Sequence, residues 1–133
     1  MLVYVISILT SYLIAVLLKA SIISFTDHIL ELNKGFSNGG MPSLHTALIS
    51  SLSAALLINR GFDELFLLSL VLTIIIASDA IKVRYNLGLQ AEKLNSLLKK
   101  NDKIPVVRGH KLSQVLVGAL IGISSSIVVS IIL

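Results

Sequence analysis

Long apolar runs alternate with shorter polar stretches along the chain. Four runs are dominated by aliphatic residues: 2–25, 44–59, 64–83 and 112–133. About 20 apolar residues form a helix long enough to cross a bilayer. The pattern therefore predicts four transmembrane helices. The first run lacks a basic leading region and a small-residue cleavage site, so it is interpreted as an anchored helix and not as a signal peptide.

The polar stretches between these runs differ in length. Residues 60–63 form a tight turn, whereas residues 26–43 and 84–111 are long connections. In the second long connection, apolar residues recur at helical spacing: Ala91, Leu94, Leu97 and Leu98. This spacing is typical of a helix lying in the membrane interface. The predicted fold is all-α, a single domain over residues 1–133 with four transmembrane helices and a short interfacial helix.

Composition supports a membrane protein and excludes several other classes. Of the 133 residues, 55% are hydrophobic and 14% are charged, whereas soluble domains carry about 25% charged residues. The chain has no cysteine, which excludes disulfides and thiolate metal sites. The net charge of +4 comes from basic residues that flank apolar runs, which fits membrane orientation better than nucleic-acid binding.

The basic residues also predict an orientation. Four crossings place both termini on one side of the membrane and both long connections on the other. Residues 82–111 carry eight Lys or Arg, against Arg60 alone in the short turn. The positive-inside rule places the long connections in the cytoplasm, and the asymmetry survives when Arg84 and Arg108 are discounted. We expect an integral protein of a prokaryotic plasma membrane.

Residues 39–45 lead into the second span with two glycines, a proline, Ser43 and His45. Ser43 is a candidate helix N-cap, and His45 follows in the first turn. The free N–H groups and the dipole at such a terminus favour an anion. The alternative is a plain Gly-Pro turn capped by serine.

A carboxylate ends the apolar run of the third span. Asp79 is followed by Lys82 and Arg84, and an intramembrane carboxylate is expensive enough to indicate function. The alternative is an Asp79–Lys82 pair at helical spacing. On an ideal helix Asp79 and Arg84 point about 140° apart, so both can face one site only if the helix loosens near Val83.

A second histidine stands before the fourth span. Arg108 and His110 precede it, and Gln114 follows His110 by four residues, on the same helical face. A histidine at a helix N-terminus stays neutral and nucleophilic; the alternative is an interfacial loop histidine. Lys19, near the end of the first span, either extends to the interface or binds phosphate.

Topology brings these groups together. The second and fourth spans begin on the membrane face where the first and third end, and this face gathers two histidines, three cations and one carboxylate: His45, His110, Lys19, Arg84, Arg108 and Asp79. Cations and N–H groups suit phosphate oxygens, while one histidine attacks phosphorus and the other protonates the leaving oxygen.

Four motifs in order resemble a known family. Residues 39–47, GGMPSLHTA, resemble the GGMPSSHSA signature of the divergent branch of the type 2 phosphatidic acid phosphatase superfamily. Residues 79–84 resemble its D-A-x-G-V-R element, residues 88–95 its G-x-Q-A-x-x-L-N element, and residues 109–118 its closing G-H motif. Lys19 stands where this branch has a lysine before the first motif.

The resemblance implies an all-helical membrane fold related to lipid phosphatases and vanadium haloperoxidases. It implies His110 as the nucleophile that forms a phosphohistidine and His45 as the general acid. Asp79 is grouped with these catalytic residues. The implied phosphate-binding residues are Lys19, Ser43, Arg84 and Arg108. Such chemistry needs neither a metal nor a cofactor.

The sequence departs from the family pattern at several positions. Gln114 stands where the superfamily has Asp, or this branch Glu, to orient the nucleophilic histidine. Leu44 replaces a small residue and Lys82 a glycine, and four spans replace the usual six.

These features leave more than one function open. The leading interpretation is a phosphatase that acts on a lipid phosphate or diphosphate. The alternatives are a catalytically silent protein that binds anionic lipid headgroups and a small transporter. Gln114 favours the silent protein, whereas both His45 and His110 favour the enzyme.

Gly118 and Gly122 form a G-x-x-x-G helix-packing face in the fourth span. Four short helices bury little on their own, so we expect a homo-oligomer packed through small-residue faces. Membrane lipids and a lipid phosphate are the other expected partners.

Overall fold

The computed structural model describes residues 1–27, 35 and 39–133. Most of the predicted connection 26–43 therefore lies outside the described residues. Most of the described residues are helical, and the predicted apolar runs are confirmed as helices. The α-helices are α1 (Leu2–Asp27), α2 (Leu44–Arg60), α3 (Glu64–Ser78), α4 (Arg84–Leu97) and α5 (Leu112–Ile132).

Within the residues that the structure describes, three helical stretches are long and apolar enough to cross a membrane. They are Leu2–Thr26, Glu64–Leu97 and Leu112–Ile132. The chain is thus a helical membrane protein, and its described part contains three candidate spans. The predicted count of four is not confirmed, because α2 has 17 residues and a length of about 26 Å at 1.5 Å per residue.

The short helix α2 lies at the centre of the bundle. It packs most extensively on α5 and also contacts α1 and α3. Its buried residues include several small polar ones: Thr46, Ser50, Ser51 and Ser53. The hydroxyl of Ser126 on α5 donates to the Ser51 carbonyl at 2.7 Å, and the hydroxyl of Ser11 on α1 donates to the Ala47 carbonyl at 2.9 Å. Small polar side chains of this kind join helices in lipid, which explains the lower hydropathy of α2.

The predicted glycine face of α5 packs inside the chain. A side chain on Gly118 would overlap the Ser43 carbonyl, and one on Gly122 would overlap the Ala47 carbonyl and the Ser50 hydroxyl. Glycine at these positions lets the backbones of α2 and α5 touch. This small-residue face is therefore occupied by α2 and is not available to a second copy of the chain.

The third span does not end where a loop was expected. A π-helix, Asp79–Val83, joins α3 directly to α4, so the helix runs from Glu64 to Leu97 without a loop. The predicted short interfacial helix near residues 91–98 is the last part of α4, which begins at Arg84. The sequence prediction was wrong here because polar residues after Val83 end the apolar pattern without ending the helix.

A 3-10 turn, Lys100–Asp102, follows α4, and an extended stretch, residues 103–110, then leads to α5; we call this stretch the return segment. The Asn95 side chain on α4 pairs with the Ile104 backbone, its Nδ2 donating to the carbonyl at 2.8 Å and its Oδ1 accepting from the N–H at 2.9 Å. Gly88 lies against Val107 and Arg108, where a Cβ would come within 3.1 Å of the Val107 carbonyl. The return segment therefore runs back along α4 and brings His110 to the end of α3.

Candidate active site

A cavity of about 470 Å³ opens at the end of the bundle where α2 and α5 begin. Its polar wall is formed by Lys19, His45, Arg84, Arg108 and His110. Its apolar wall comes from α1 and α2 and is formed by Leu9, Tyr12, Leu44 and Leu48. The cavity thus joins a cationic, histidine-bearing end to an apolar end between two helices.

A smaller cavity of about 70 Å³ is bordered by His45, Asp79, Arg84 and His110, together with Ile76 and Ala80. These four polar residues come from three separate motifs of the sequence. Their predicted convergence on one end of the bundle is therefore observed.

His110 is held at two points, its backbone N–H and its ring. Its backbone N–H donates to the Ala80 carbonyl at 3.0 Å. Its ring Nδ1 lies 3.2 Å from Oε1 of Gln114, and that oxygen also accepts from the Lys111 backbone N–H at 3.0 Å. Because the backbone N–H can only donate, the amide oxygen must face it, so Nδ1 of His110 carries the proton. The lone pair then lies on Nε2.

The environment of His110 favours the neutral ring. Burial lowers the pKa of His110 below its ordinary value, because the charged ring loses hydration. The bond to Gln114 and the Gly40 backbone oppose this shift, whereas the charges of Lys19 and His45 add to it. The ring is therefore uncharged near neutral pH.

The π-helix places Asp79 and Arg84 together. Arg84 Nε donates to Asp79 Oδ2 at 2.7 Å, and the Arg84 backbone N–H donates to the Asp79 carbonyl. A bond that spans five residues widens the turn, which removes the divergence expected on an ideal helix. Asp79 pairs with Arg84 here, and not with Lys82 as the alternative interpretation proposed.

Arg108 is held by a carboxylate that the sequence analysis missed. Its Nε donates to Glu92 Oε1 at 2.7 Å, and its Nη2 lies 2.5 Å from the same oxygen. The Arg108 side chain is 68% exposed. The only sequence signal for Glu92 is its place one helical turn after Gly88, which contacts the return segment.

Two predicted phosphate ligands differ in their placement. Ser43 is fully buried; its hydroxyl lies 2.9 Å from that of Thr46 and its N–H donates to the Gln114 carbonyl at 3.1 Å. It borders neither cavity, because it joins the starts of α2 and α5. Lys19, by contrast, borders the large cavity and is 1% exposed, so it points inward and does not extend to the interface.

Comparisons with known proteins agree with this architecture. The family model described as the divergent PAP2 family matches residues 3–125. The chain is also similar to the uncharacterized membrane protein YuiD of Bacillus subtilis (strain 168). The two are 28% identical, over 93% of this chain and 91% of the relative. No solved structure matches.

Proposed function

Because the chain belongs to the divergent PAP2 family, we propose that it hydrolyses the phosphate or diphosphate group of a membrane lipid. The cavity of about 470 Å³ carries this proposal. Its cationic end suits phosphate oxygens, and its apolar wall on α1 and α2 suits the first carbons of a lipid chain. A soluble phosphate ester has no apolar chain to pack against that wall.

The proposed reaction proceeds in two displacements through His110. Nε2 of His110 attacks phosphorus, a P–N bond forms, and the P–O bond to the lipid breaks. His45 gives its proton to the departing oxygen. Water then attacks the phosphohistidine, His45 accepts a proton from that water, and breaking of the P–N bond releases phosphate.

The three cations stabilise charge on the phosphate in this scheme. Lys19, Arg84 and Arg108 bind its oxygens, as the resemblance implies. Asp79 orients Arg84: its carboxylate accepts a hydrogen bond from Arg84 Nε at 2.7 Å. The two terminal nitrogens of that guanidinium then remain for the phosphate. Gln114 keeps the His110 proton on Nδ1.

The proposal includes an orientation in the membrane. In this orientation α2 also crosses the membrane, as the shortest of four spans in a single domain, and both termini lie on one side. The basic residues of 82–111 support a site on the cytoplasmic face of a prokaryotic plasma membrane, by the positive-inside rule. A homo-oligomer would have to form through surfaces other than Gly118 and Gly122, since α2 covers them.

One observation favours a second function, the binding of anionic lipid headgroups without turnover. The amide of Gln114 orients His110 but supplies no negative charge to the ring during attack. A family member with a carboxylate at this position would supply that charge. A protein with this cavity and slow chemistry would hold a phosphate headgroup and not release it.

Phosphate release in detergent tests the proposal. The purified protein is incubated with phosphatidic acid, a polyprenyl phosphate, a polyprenyl diphosphate and a sphingoid phosphate, and free phosphate is measured. We expect release from at least one lipid, and none by His110→Ala. Binding of these lipids without release would support the second function, and neither binding nor release would contradict both.

A further inference from the structure

The π-helix at residues 79–83 has a second consequence, which concerns the seating of His110. In an α-helix the carbonyl of Ala80 would accept from the N–H of Arg84, four residues on. Here the Arg84 backbone N–H donates to the carbonyl of Asp79 instead. The Ala80 carbonyl accepts from the N–H of His110 at 3.0 Å.

Gly109 lets the return segment reach this carbonyl. A Cβ at residue 109 would overlap the backbones of Ala80, Arg84 and Tyr85. The backbone at Gly109 therefore lies directly on the widened turn. No side chain fits between them, so the position of His110 follows the position of the π-helix.

We propose that the π-helix is a positioning element for His110: it withdraws one backbone donor from Ala80, and Ala80 and Gly109 thereby act as positioning residues. This inference rests on the proposed function, which makes His110 the nucleophile. The same widened turn sets Arg84 beside Asp79, so the nucleophile and one phosphate-binding guanidinium share a single support.

Deleting Lys82 tests this assignment directly. Removal of one residue between positions 79 and 84 converts the wide turn into an α-helical one. Asp79 and Arg84 then stand four residues apart and remain on the same helical face, while Ala80 regains a helical donor. The matched control is Lys82→Ala, which removes the same exposed side chain but keeps the residue count.

The readouts are nuclear magnetic resonance signals of His110 in detergent, with histidine ring nitrogens labelled. In the deletion variant we expect the His110 amide to exchange about two- to tenfold faster, the range for loss of one hydrogen bond. The ring should also lose its fixed Nδ1–H tautomer, and its titration should move towards higher pH as burial decreases. Lys82→Ala should leave all three signals unchanged.

Gly109→Ala is the second variant, in case the deletion prevents folding. It leaves the π-helix intact and pushes the return segment away from it, so it should reproduce the changes at His110. Unchanged His110 signals in either folded variant would overturn the assignment. Since no readout depends on turnover, altered His110 signals in a protein that hydrolyses no lipid phosphate would support the seating and contradict only the proposed function.

Discussion

Where α2 meets α5, glycines let two helix backbones touch, whereas α4 meets the return segment through polar and charged side-chain pairs in addition to the close backbone contacts at Gly88 and Gly109. On the first side, a side chain on Gly122 would overlap the Ala47 carbonyl. On the second, Asn95 pairs with Ile104 and Glu92 pairs with Arg108. His45 belongs to the first side, and Arg84, Arg108 and His110 belong to the second. His110 also contacts α5 through Gln114 and the π-helix through Ala80.

Close backbone packing and exposed ion pairs differ in how much each contributes to the free energy of unfolding. Close-packed helices do not yield without strain, and overpacking typically costs about 1–3 kcal/mol. Ion pairs exposed to water contribute about 0–1 kcal/mol each. We therefore expect changes at the glycines of the α2–α5 contact to act on the whole fold, and changes to the exposed Glu92–Arg108 pair on α4 to act on the site alone.

The largest effect is expected from Gly122→Val. The valine side chain would force α5 away from Ala47 and Ser50, and the free energy of unfolding should fall by about 1–3 kcal/mol or more. Thermal unfolding in detergent, followed by circular dichroism, measures this loss.

Leu120→Val is the matched control for that change. Leu120 lies two residues away on α5 and is 65% exposed, so it faces lipid or detergent. Its replacement should leave the unfolding midpoint close to that of the parent protein. Equal midpoints for Gly122→Val and Leu120→Val would mean that α2 and α5 do not touch as described.

The next effect concerns phosphate binding by Arg84, which borders the large and the small cavity. Arg84→Ala should weaken binding of orthovanadate, a phosphate mimic, by about 1.5–3 kcal/mol, the range for a hydrogen bond to a charged group. Isothermal titration calorimetry in detergent gives the affinity.

Lys82→Ala removes a neighbouring positive charge from the π-helix and serves as the control for Arg84→Ala. Lys82 is exposed, so its loss should reduce the affinity for orthovanadate far less. If the two variants bind orthovanadate equally well, Arg84 does not belong to the site.

The helices and the grouping of the histidines could be predicted because both follow from local pattern. Apolar runs of membrane length gave the starts of α2, α3 and α5 at residues 44, 64 and 112, as observed. Alternating crossings then placed His45 and His110 at one end of the bundle. Neither inference needed a side-chain position.

Contacts that change when a helix gains or loses a single residue, or when a connection takes another path, could not be predicted from the sequence. A π-helix differs from an α-helix by one residue in a turn, and hydrophobic spacing does not report it. The Glu92–Arg108 pair depends on the path of the return segment across 16 residues. Ser43 was placed correctly at the start of α2, but its side chain turns to Thr46 and away from the cavity.

A smaller effect is expected from Gln114→Glu, which adds charge where the two sides of the site meet at His110. The amide oxygen of Gln114 accepts from His110 at 3.2 Å, and a carboxylate would accept the same proton. Bonds to charged groups exceed neutral ones by about 1 kcal/mol, so kcat should rise roughly fivefold while KM stays constant. Phosphate release under saturating lipid measures both constants.

The pH dependence of that gain follows from the sign of the pKa change. Burial lowers the pKa of His110 in the parent protein, so its ring stays neutral as pH falls below the ordinary histidine range. A carboxylate at residue 114 would raise this pKa, and the ring would become protonated and unreactive at higher pH than before. The advantage of Gln114→Glu should therefore be largest in alkaline buffer and shrink in acid. A variant that is no faster at any pH would contradict the orienting part of Gln114.

The smallest effect is expected from Glu92→Gln, on the α4 side of the site. The glutamine oxygen can still accept from Arg108, so the guanidinium should keep its place. The substitution removes one negative charge beside the proposed phosphate site. Since the two side chains are 36% and 68% exposed, water screens that charge, and the affinity for orthovanadate should rise by less than about threefold. The gain should disappear in 1 M salt, where screening acts over about 3 Å.

The control is Glu64→Gln, which removes the same charge from the first turn of α3, at the opposite end of the helix. It should leave the affinity for orthovanadate unchanged. If Glu92→Gln instead weakened orthovanadate binding as much as Arg84→Ala, Arg108 would need the full charge of Glu92 to stay in the site. The Glu92–Arg108 pair would then contribute far more than an exposed ion pair usually does, and the contrast with the α2–α5 contact would fail.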